Sequence, residues 1–246
     1  MFLKLRPLFF SLLFLLGLEV IILKSFLVFS VSLILFLVSL LEGKKLGKQW
    51  KFSILPVSFV FSSIILLYLI TLAYEQQIFI ILSSGIYYLS LFGAYRLGDY
   101  DKDQTAKGMI MAATVTTVFF IYAGLYGIYL NFLVPLVVLM IAYFAATLLI
   151  SYQYFSIVKN DETAKVWIYS FLLALVMAEL IWTMNFWPFG YLTTGVIALI
   201  LYYVLWDIVE SHFLDVLSRK RIMANMMIFS LLIGFVLLSS KWIPVI

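Results

Sequence analysis

Long apolar stretches, separated by short charged clusters, run through almost the whole sequence. Each stretch approaches the roughly 17–25 apolar residues that an α-helix needs to cross the hydrocarbon layer of a bilayer. A chain in lipid must satisfy its own backbone hydrogen bonds, which leaves helices or a closed barrel, and stretches of this length are typical of helices. The charged clusters delimit nine stretches: 7–23, 25–41, 53–74, 78–95, 109–130, 133–157, 166–184, 189–209 and 226–240.

The composition agrees with a chain that folds in a bilayer. The sequence is 65% hydrophobic and 11% charged, whereas soluble domains are about 45–50% apolar and about 25% charged. We therefore predict an all-α fold, a polytopic transmembrane helix bundle of about nine spans. Residues 1–246 would form a single integral membrane domain whose main partner is the lipid bilayer.

The positive charges predict how the chain is threaded. Lys and Arg accumulate in cytoplasmic loops of membrane proteins, and nine spans with a cytoplasmic N-terminus leave only Lys24 and Lys241 outside. This threading puts the C-terminus outside, in a plasma or inner membrane. It assigns the net charge of +4 to topology, and no nucleic-acid partner is indicated. The cytoplasmic set is Lys4, Arg6, Lys44, Lys45, Lys48, Lys51, Arg96, Lys102, Lys107, Lys159, Lys165, Arg219, Lys220 and Arg221.

The first hairpin allows an alternative to this threading. The sequence IILKSFL contains no Gly or Pro that would turn the chain between the first two stretches. Residues 1–20 could instead lie in the interface as an amphipathic helix, followed by one span. A cleaved signal peptide fits less well, because Glu19 and Leu23 stand where small residues precede a cleavage site. Two short spans are the preferred prediction for residues 1–41.

Two landmarks recur in the same order. The loop DQTAK at 103–107 returns as DETAK at 161–165, and the turn NFLVP at 131–135 returns as NFWP at 185–188. They predict that helices five and six are duplicated in parallel as helices seven and eight, with repeat units 103–157 and 161–215. Asp103 and Asp161 are expected to cap the helices that follow them, a structural role that needs no further function.

An acid, Glu179, interrupts the apolar stretch that ends in AELIWTMNFWPFG. It lies six residues before Asn185, so a rise of 1.5 Å per residue puts it about 9 Å below the outer helix end. We expect it to face the bundle and polar groups of helix one or five, because lipid solvates a carboxylate poorly. Glu19 has a similar depth, and the two acids could share a proton or bind a cation; alternatively, Glu19 pairs with Lys24. The candidate intramembrane polar site comprises Glu179, Glu19, Trp182, Asn185, Tyr122 and Tyr126.

Two faces flank this candidate site. Ser170, Ala174 and Ala178 recur at four-residue spacing, which predicts a seam where another helix approaches closely. Tyr122 and Tyr126 share a face of helix five. These tyrosines could line a solute path, although Tyr near a membrane boundary is more often part of the aromatic belt.

A second polar cluster lies at the inner end of helix eight. Asp207, Glu210 and His212 are candidates there, because the acids follow helical spacing and His212 is the only histidine. A catalytic or metal site needs ligands that converge. A solvated acidic face that pairs with nearby Arg and Lys is therefore the preferred interpretation.

No enzyme family is indicated by motif. The chain has no cysteine, and neither a phosphate-binding glycine loop nor an HExxH pattern is present, so no metal and no cofactor are predicted. Three functions stay open: a small-solute or ion permease or binding protein that uses an intramembrane carboxylate, a structural or assembly subunit with a membrane-protein partner or as a homo-oligomer, and a lipid-modifying membrane enzyme.

Overall fold

The computed structural model describes residues 2–132, 134–158, 163–213 and 218–239. Within these ranges the chain forms nine α-helices and one short 3-10 helix, without a strand, which confirms the predicted all-helical membrane fold. The helices are α1 (Phe2–Leu23), α2 (Val28–Gly47), α3 (Lys51–Leu69), α4 (Ala73–Asp99), α5 (Gln104–Phe132), α6 (Leu136–Val158), α7 (Thr163–Met184), α8 (Tyr191–Phe213) and α9 (Arg219–Ser239).

Eight of the helices in the described ranges are long and apolar enough to cross a bilayer, one fewer than the sequence predicts. The exception is α2, which continues past the predicted end at residue 41 as far as Gly47. Its last turns therefore carry Glu42, Lys44 and Lys45, which belong to the predicted loop. Glu42 and Gly47 are buried, so these turns pack against protein instead of leaving the fold.

The chain divides into two compact units, Met1–Ile121 and Tyr122–Ile246. In the first unit α1 packs against α2 and α4, and α3 packs against both α2 and α4. In the second unit α6 pairs with α7, α7 with α8, and α8 with α9. The boundary falls within α5, so this helix contributes to both units. The predicted duplication of helices five and six stays a prediction, and Asp161 lies outside the described residues.

The first hairpin turns without Gly or Pro. Ser25–Leu27 forms a 3-10 turn between α1 and α2, in which the N–H of Leu27 donates to the carbonyl of Lys24 at 2.9 Å. The two helices then pack closely, because a Cβ added at Gly17 would lie 2.8 Å from the side chain of Leu35. Residues 1–41 thus enter two helices, which both alternatives allow; α1 is among the candidate spans and α2 is not, so the two short spans stay a prediction.

The Lys- and Arg-bearing helix ends of the first unit meet at one end, which we call its basic end. There the Lys48 ammonium pairs with the Asp99 carboxylate at 2.7 Å, which joins the ends of α2 and α4. The backbones also approach closely: a Cβ added at Gly98 would lie 2.7 Å from the carbonyl oxygen of Leu46. Gly98 is therefore required by the α2–α4 contact, where no side chain fits between the two helices.

Asp103 caps α5 as the sequence predicts. Its carboxylate accepts a hydrogen bond from the backbone N–H of Ala106 at 3.1 Å and pairs with Arg96 at 2.6 Å. The first contact satisfies one of the free N–H groups at a helix start. The second ties this loop to the end of α4. The Ala106 N–H and the Arg96 guanidinium both hold the pKa of the Asp103 carboxyl below its usual value.

Substitutions at Asp103 should separate these two contacts. Asp103→Asn keeps an oxygen for the Ala106 N–H but loses the charge, whereas Asp103→Ala loses both. At pH 7 we expect the midpoint of thermal unfolding to fall from wild type to the Asn variant to the Ala variant. Because the folded pKa is depressed, the wild-type advantage over Asn exists above the unfolded pKa of about 3.9. It should disappear as the pH falls through the lower folded value, and an advantage that persists in acid would contradict this account.

Candidate functional site

Glu179 does not face the bundle: its side chain is exposed on the surface of α7. The prediction that it points inward is therefore wrong. Within the described residues, no hydrogen bond or ion pair involves its carboxylate, and a contact with helix one, which belongs to the other unit, stays a prediction. Trp182 is also exposed, at 48%, and Asn185 is half-buried just beyond the end of the helix.

The buried seam of α7 explains this orientation. Ser170, Ala174 and Ala178 are all buried, so the predicted small-residue seam does pack against protein. An α-helix turns by about 100° per residue, so the residue that follows Ala178 cannot share its face. The seam and an inward Glu179 were thus incompatible predictions, and close packing of the seam decided between them.

Glu19 has a partner on another helix of its own unit. Its carboxylate accepts a hydrogen bond from the Gln77 side-chain amide of α4 at 3.2 Å. The expected alternative, a pair with Lys24, does not occur among the ion pairs of the described residues. Glu19 and Glu179 belong to different units, and a contact between them stays a prediction.

Tyr122 and Tyr126 are each only 1% exposed, so the interpretation as belt residues is wrong for both. The Tyr122 ring stacks on Tyr143 at a centroid distance of 4.6 Å, and the Tyr143 hydroxyl donates to the backbone carbonyl of Tyr122 at 2.7 Å. Tyr126 stacks on Tyr129 at 5.7 Å. The tyrosine face of α5 thus lies inside the second unit, where the hydroxyl groups need protein partners.

These tyrosines begin a line of paired hydroxyl groups. The hydroxyls of Tyr122 and Thr147 lie 2.7 Å apart. One turn further along α6, the hydroxyls of Ser151 and Tyr202 lie 3.1 Å apart. Both pairs are buried. The Thr147 hydroxyl also donates to the backbone carbonyl of Tyr143 at 2.7 Å, which leaves Tyr122 as the donor of the first pair, whereas either oxygen of the second pair can donate. Hydroxyl groups thus continue from α5 across α6 to α8 in the apolar interior of this unit.

The line ends on a carboxylate. The Tyr154 hydroxyl donates to Oε1 of Glu210 at 3.0 Å, near the ends of α6 and α8. Thr147, Ser151 and Tyr154 follow one another at spacings of four and three residues, which places them on one face of α6. We call the following residues the hydroxyl row of the second unit: Tyr122, Thr147, Ser151, Tyr202, Tyr154 and Glu210.

The three residues of the predicted inner cluster of α8 contact three different neighbours. Asp207 is 8% exposed and accepts a hydrogen bond from the Asn225 amide of α9. Glu210 belongs to the hydroxyl row, and His212 is exposed with its ring 5.5 Å from that of Tyr169 on α7. The prediction of a solvated acidic face is wrong for Asp207, because the helix continues beside α9 at this level and covers it.

A second buried carboxylate, Glu42, lies at the basic end of the first unit. It has two cationic neighbours, the Arg6 guanidinium at 3.9 Å and the Lys45 ammonium at 3.4 Å. One turn earlier on the same face of α2, the Ser39 hydroxyl lies 2.7 Å from that of Tyr87. Glu42 is close enough to act electrostatically on the Tyr87 hydroxyl. We call Ser39, Glu42, Tyr87 and Arg6 the Glu42 cluster.

The sequence contained a signal for this cluster. Ser39 and Glu42 are three residues apart, and Ser83, Ser84, Tyr87 and Ser90 recur at three- and four-residue spacing in α4. Such spacing predicts polar faces that meet when two helices pack. The predicted end at residue 41 assigned Glu42 to a loop. The contact between the polar faces of α2 and α4 was therefore not predicted.

Two further polar side chains are buried beside the hydroxyl row. Gln153 is 2% exposed, and both atoms of its amide lack a hydrogen-bond partner within the described chain. The indole N–H of Trp206, whose ring lies 4.9 Å from Tyr154, also lacks one. A buried polar group without a partner costs about 1–3 kcal/mol. Such groups are places where water or a polar solute binds.

Residues 38–239 match the model of a family described as "Protein of unknown function (DUF5656)". The chain belongs to this family. The matched region begins inside α2 and contains Ser39, Glu42 and Tyr87 as well as the whole hydroxyl row, whereas Arg6 and Glu19 precede it. Neither a curated protein nor a solved structure matches the sequence.

Proposed function

We propose that this multi-pass membrane protein is a permease for small cations, protons included. The observation that carries the proposal is the hydroxyl row of the second unit, which ends on Glu210. Ionisable groups inside membrane segments are costly and mark ion paths or proton relays. A carboxylate reached by successive hydroxyl groups is the arrangement that such a path needs.

Stability alone gives little reason for the row. Hydrogen bonds between membrane helices contribute only about 0.6 kcal/mol on average. Phe in place of Tyr122 or Tyr202, and Val or Ala in place of Thr147 or Ser151, would fill nearly the same volume without a polar group to satisfy. Each hydroxyl can both donate and accept, so the row can exchange protons or coordinate a cation along α6. The partnerless groups of Gln153 and Trp206 support the same proposal, because they offer hydrogen bonds to water or a solute at this level.

The Glu42 cluster gives the first unit the same combination of groups. A hydroxyl pair, Ser39 with Tyr87, again precedes a carboxylate near a helix end, and here the carboxylate is buried. Here Arg6 and Lys45 balance the charge of Glu42. We propose that this carboxylate is a second cation site, which exchanges Arg6 or Lys45 for the transported ion.

The charge-based threading is part of the proposal. Lys48 and Arg96 lie at the same end of the first unit as Glu42, in contact with Asp99 and Asp103. This end is therefore assigned to the cytoplasm, since Lys and Arg concentrate there. Glu42 would then release the cation toward the cytoplasmic face.

Flux through purified protein in liposomes tests the proposal. Proton entry is followed with an internal pH dye, and sodium and potassium entry with internal cation dyes, under an imposed membrane potential. We expect Glu210→Gln to reduce the flux of the transported cation by about tenfold or more, because the amide removes the intramembrane charge. Tyr154→Phe should reduce it less, since it removes only the donor to Glu210.

Glu75→Gln is the matched control, because Glu75 is exposed at the start of α4, where its carboxylate accepts a hydrogen bond from the neighbouring Tyr74 hydroxyl. It should transport like the wild type. The permease proposal would be overturned if liposomes that contain the wild-type protein take up none of the three cations faster than protein-free liposomes. A folded Glu210→Gln variant with wild-type flux would show that the hydroxyl row is not part of the cation path.

One observation favours the second function, a subunit of a membrane complex. The exposed Glu179 carboxylate has a poor solvent in lipid, and a partner protein would give it a better one. A subunit role does not require flux through the isolated chain, so the liposome assay separates the two functions.

A further inference from the structure

From Ile168 to Trp182, the exposed face of α7 carries one acidic residue within an otherwise apolar stripe. Ile168, Leu172 and Leu175 are exposed along the helix, followed at helical spacing by Glu179 and Trp182. An entirely apolar stripe is what lipid alone requires. The single carboxylate is therefore the feature of this face that lipid contact does not explain.

The depth of Glu179 makes the charge costly. It lies five residues before Met184, the last residue of α7, or about 7–8 Å below the helix end. A charged residue costs about 2.5–3.5 kcal/mol at the centre of a span and less at this depth. Glu is too short to bring its carboxylate fully into water from there, and no cation of the described chain pairs with it.

We propose that Glu179 pairs with a Lys or Arg side chain on a transmembrane helix of a different protein. Charge complementarity determines the chemistry of the partner, because a carboxylate in a low dielectric is stabilised most by a cation that brings hydrogen-bond donors. The cation must lie one to two turns from the outer end of its own helix to meet Glu179. The apolar stripe of α7 would pack against the rest of that helix. This inference is independent of the permease.

Within the described residues, a second copy of this chain does not offer the matching group. The described part of the chain has no Lys or Arg in the half of any span that lies away from the basic helix ends. Lys24 comes closest to this requirement, but it lies outside the helix, beyond the end of α1 at Leu23. The partner is therefore a different protein.

A synthetic transmembrane peptide can serve as the probe. The peptide is a 22-residue helix of Leu and Ala with one Lys five residues from one end, labelled with an acceptor dye. The protein has no cysteine, so Lys102→Cys, in an exposed loop, takes the donor dye. Energy transfer in liposomes should report association with the wild type that Glu179→Gln and Glu179→Leu each weaken by about tenfold.

Two controls isolate the charge pair. Thr183→Val changes a neighbour on the same exposed face and should leave the association intact. A peptide with its Lys at the centre, or with Leu in its place, should bind the wild type as weakly as the first peptide binds Glu179→Gln. Equal binding of all peptides, or equal binding to wild type and Glu179→Gln, would overturn the proposal. So would self-association of the protein, measured between two dye-labelled pools, that Glu179→Gln abolishes.

Discussion

Gly98→Ala is expected to lower the free energy of unfolding by about 1–3 kcal/mol, the usual cost of forcing extra atoms into a packed contact. The new Cβ would lie 2.7 Å from the carbonyl oxygen of Leu46 and 3.1 Å from backbone atoms of Gly47. Backbone atoms cannot rotate away as a side chain can, so α2 and α4 must separate. Reversible unfolding in mixed detergent micelles measures the loss.

Gly85→Ala, in the same helix, is the matched control. No atom lies within 4 Å of a Cβ at this position. Ala is favoured over Gly in a helix by about 0.8–1.0 kcal/mol, so this variant should be at least as stable as the wild type. If the two variants lose similar stability, helix propensity or the detergent governs the result, and the close approach of α2 and α4 does not.

Removal of both cations beside Glu42 is expected to destabilise the first unit. An uncompensated buried charge costs about 3–5 kcal/mol, but Arg6 and Lys45 have side chains 43% and 55% exposed. Water already screens part of these interactions, so we expect a loss of about 1–3 kcal/mol for Arg6→Leu with Lys45→Leu. The same unfolding assay applies.

A third substitution tests whether the charge is the cause. Glu42→Gln in the doubly substituted chain should recover most of the lost stability, because a neutral amide costs less to bury than a carboxylate. Lys44→Leu is the control, since its ammonium lies 3.9 Å from the centre of the Trp50 ring and not on Glu42. No recovery with Gln would mean that the aliphatic parts of Arg6 and Lys45 supply the stability.

The apolar stretches were sufficient to predict the helices because each must satisfy its backbone inside lipid. The apolar stretches predicted the positions of the helix ends less accurately. α2 continues to Gly47 because the turns that carry Glu42 are covered by protein, and hydropathy alone cannot distinguish such turns from a loop. Asp103 was predicted correctly because a cap depends on residues adjacent in sequence.

The candidate site was harder to predict because helix rotation depends on tertiary contacts. The rule that an intramembrane acid faces inward gave the wrong orientation for Glu179. Ala174 and Ala178 are buried in a helix contact, and this rotation of α7 leaves Glu179 on the exposed side. The same rule applies to Glu42, which the span boundaries had excluded from the membrane. Tyr122 and Tyr126 looked like boundary residues by sequence, and only their neighbours Tyr143 and Thr147 show that they are interior.

α9 contacts the rest of the second unit through polar and aromatic side chains. None of the residues of its apolar segment Ile222–Ser239 counts as buried. Its Asn225 amide bonds to Asp207, and Phe229 lies against Tyr203 at 5.4 Å. During synthesis the ribosome therefore releases α9 into a membrane where α6, α7 and α8 can already have packed. The hydrogen bond between the Asn225 amide and Asp207 can therefore form only after α9 has entered the membrane.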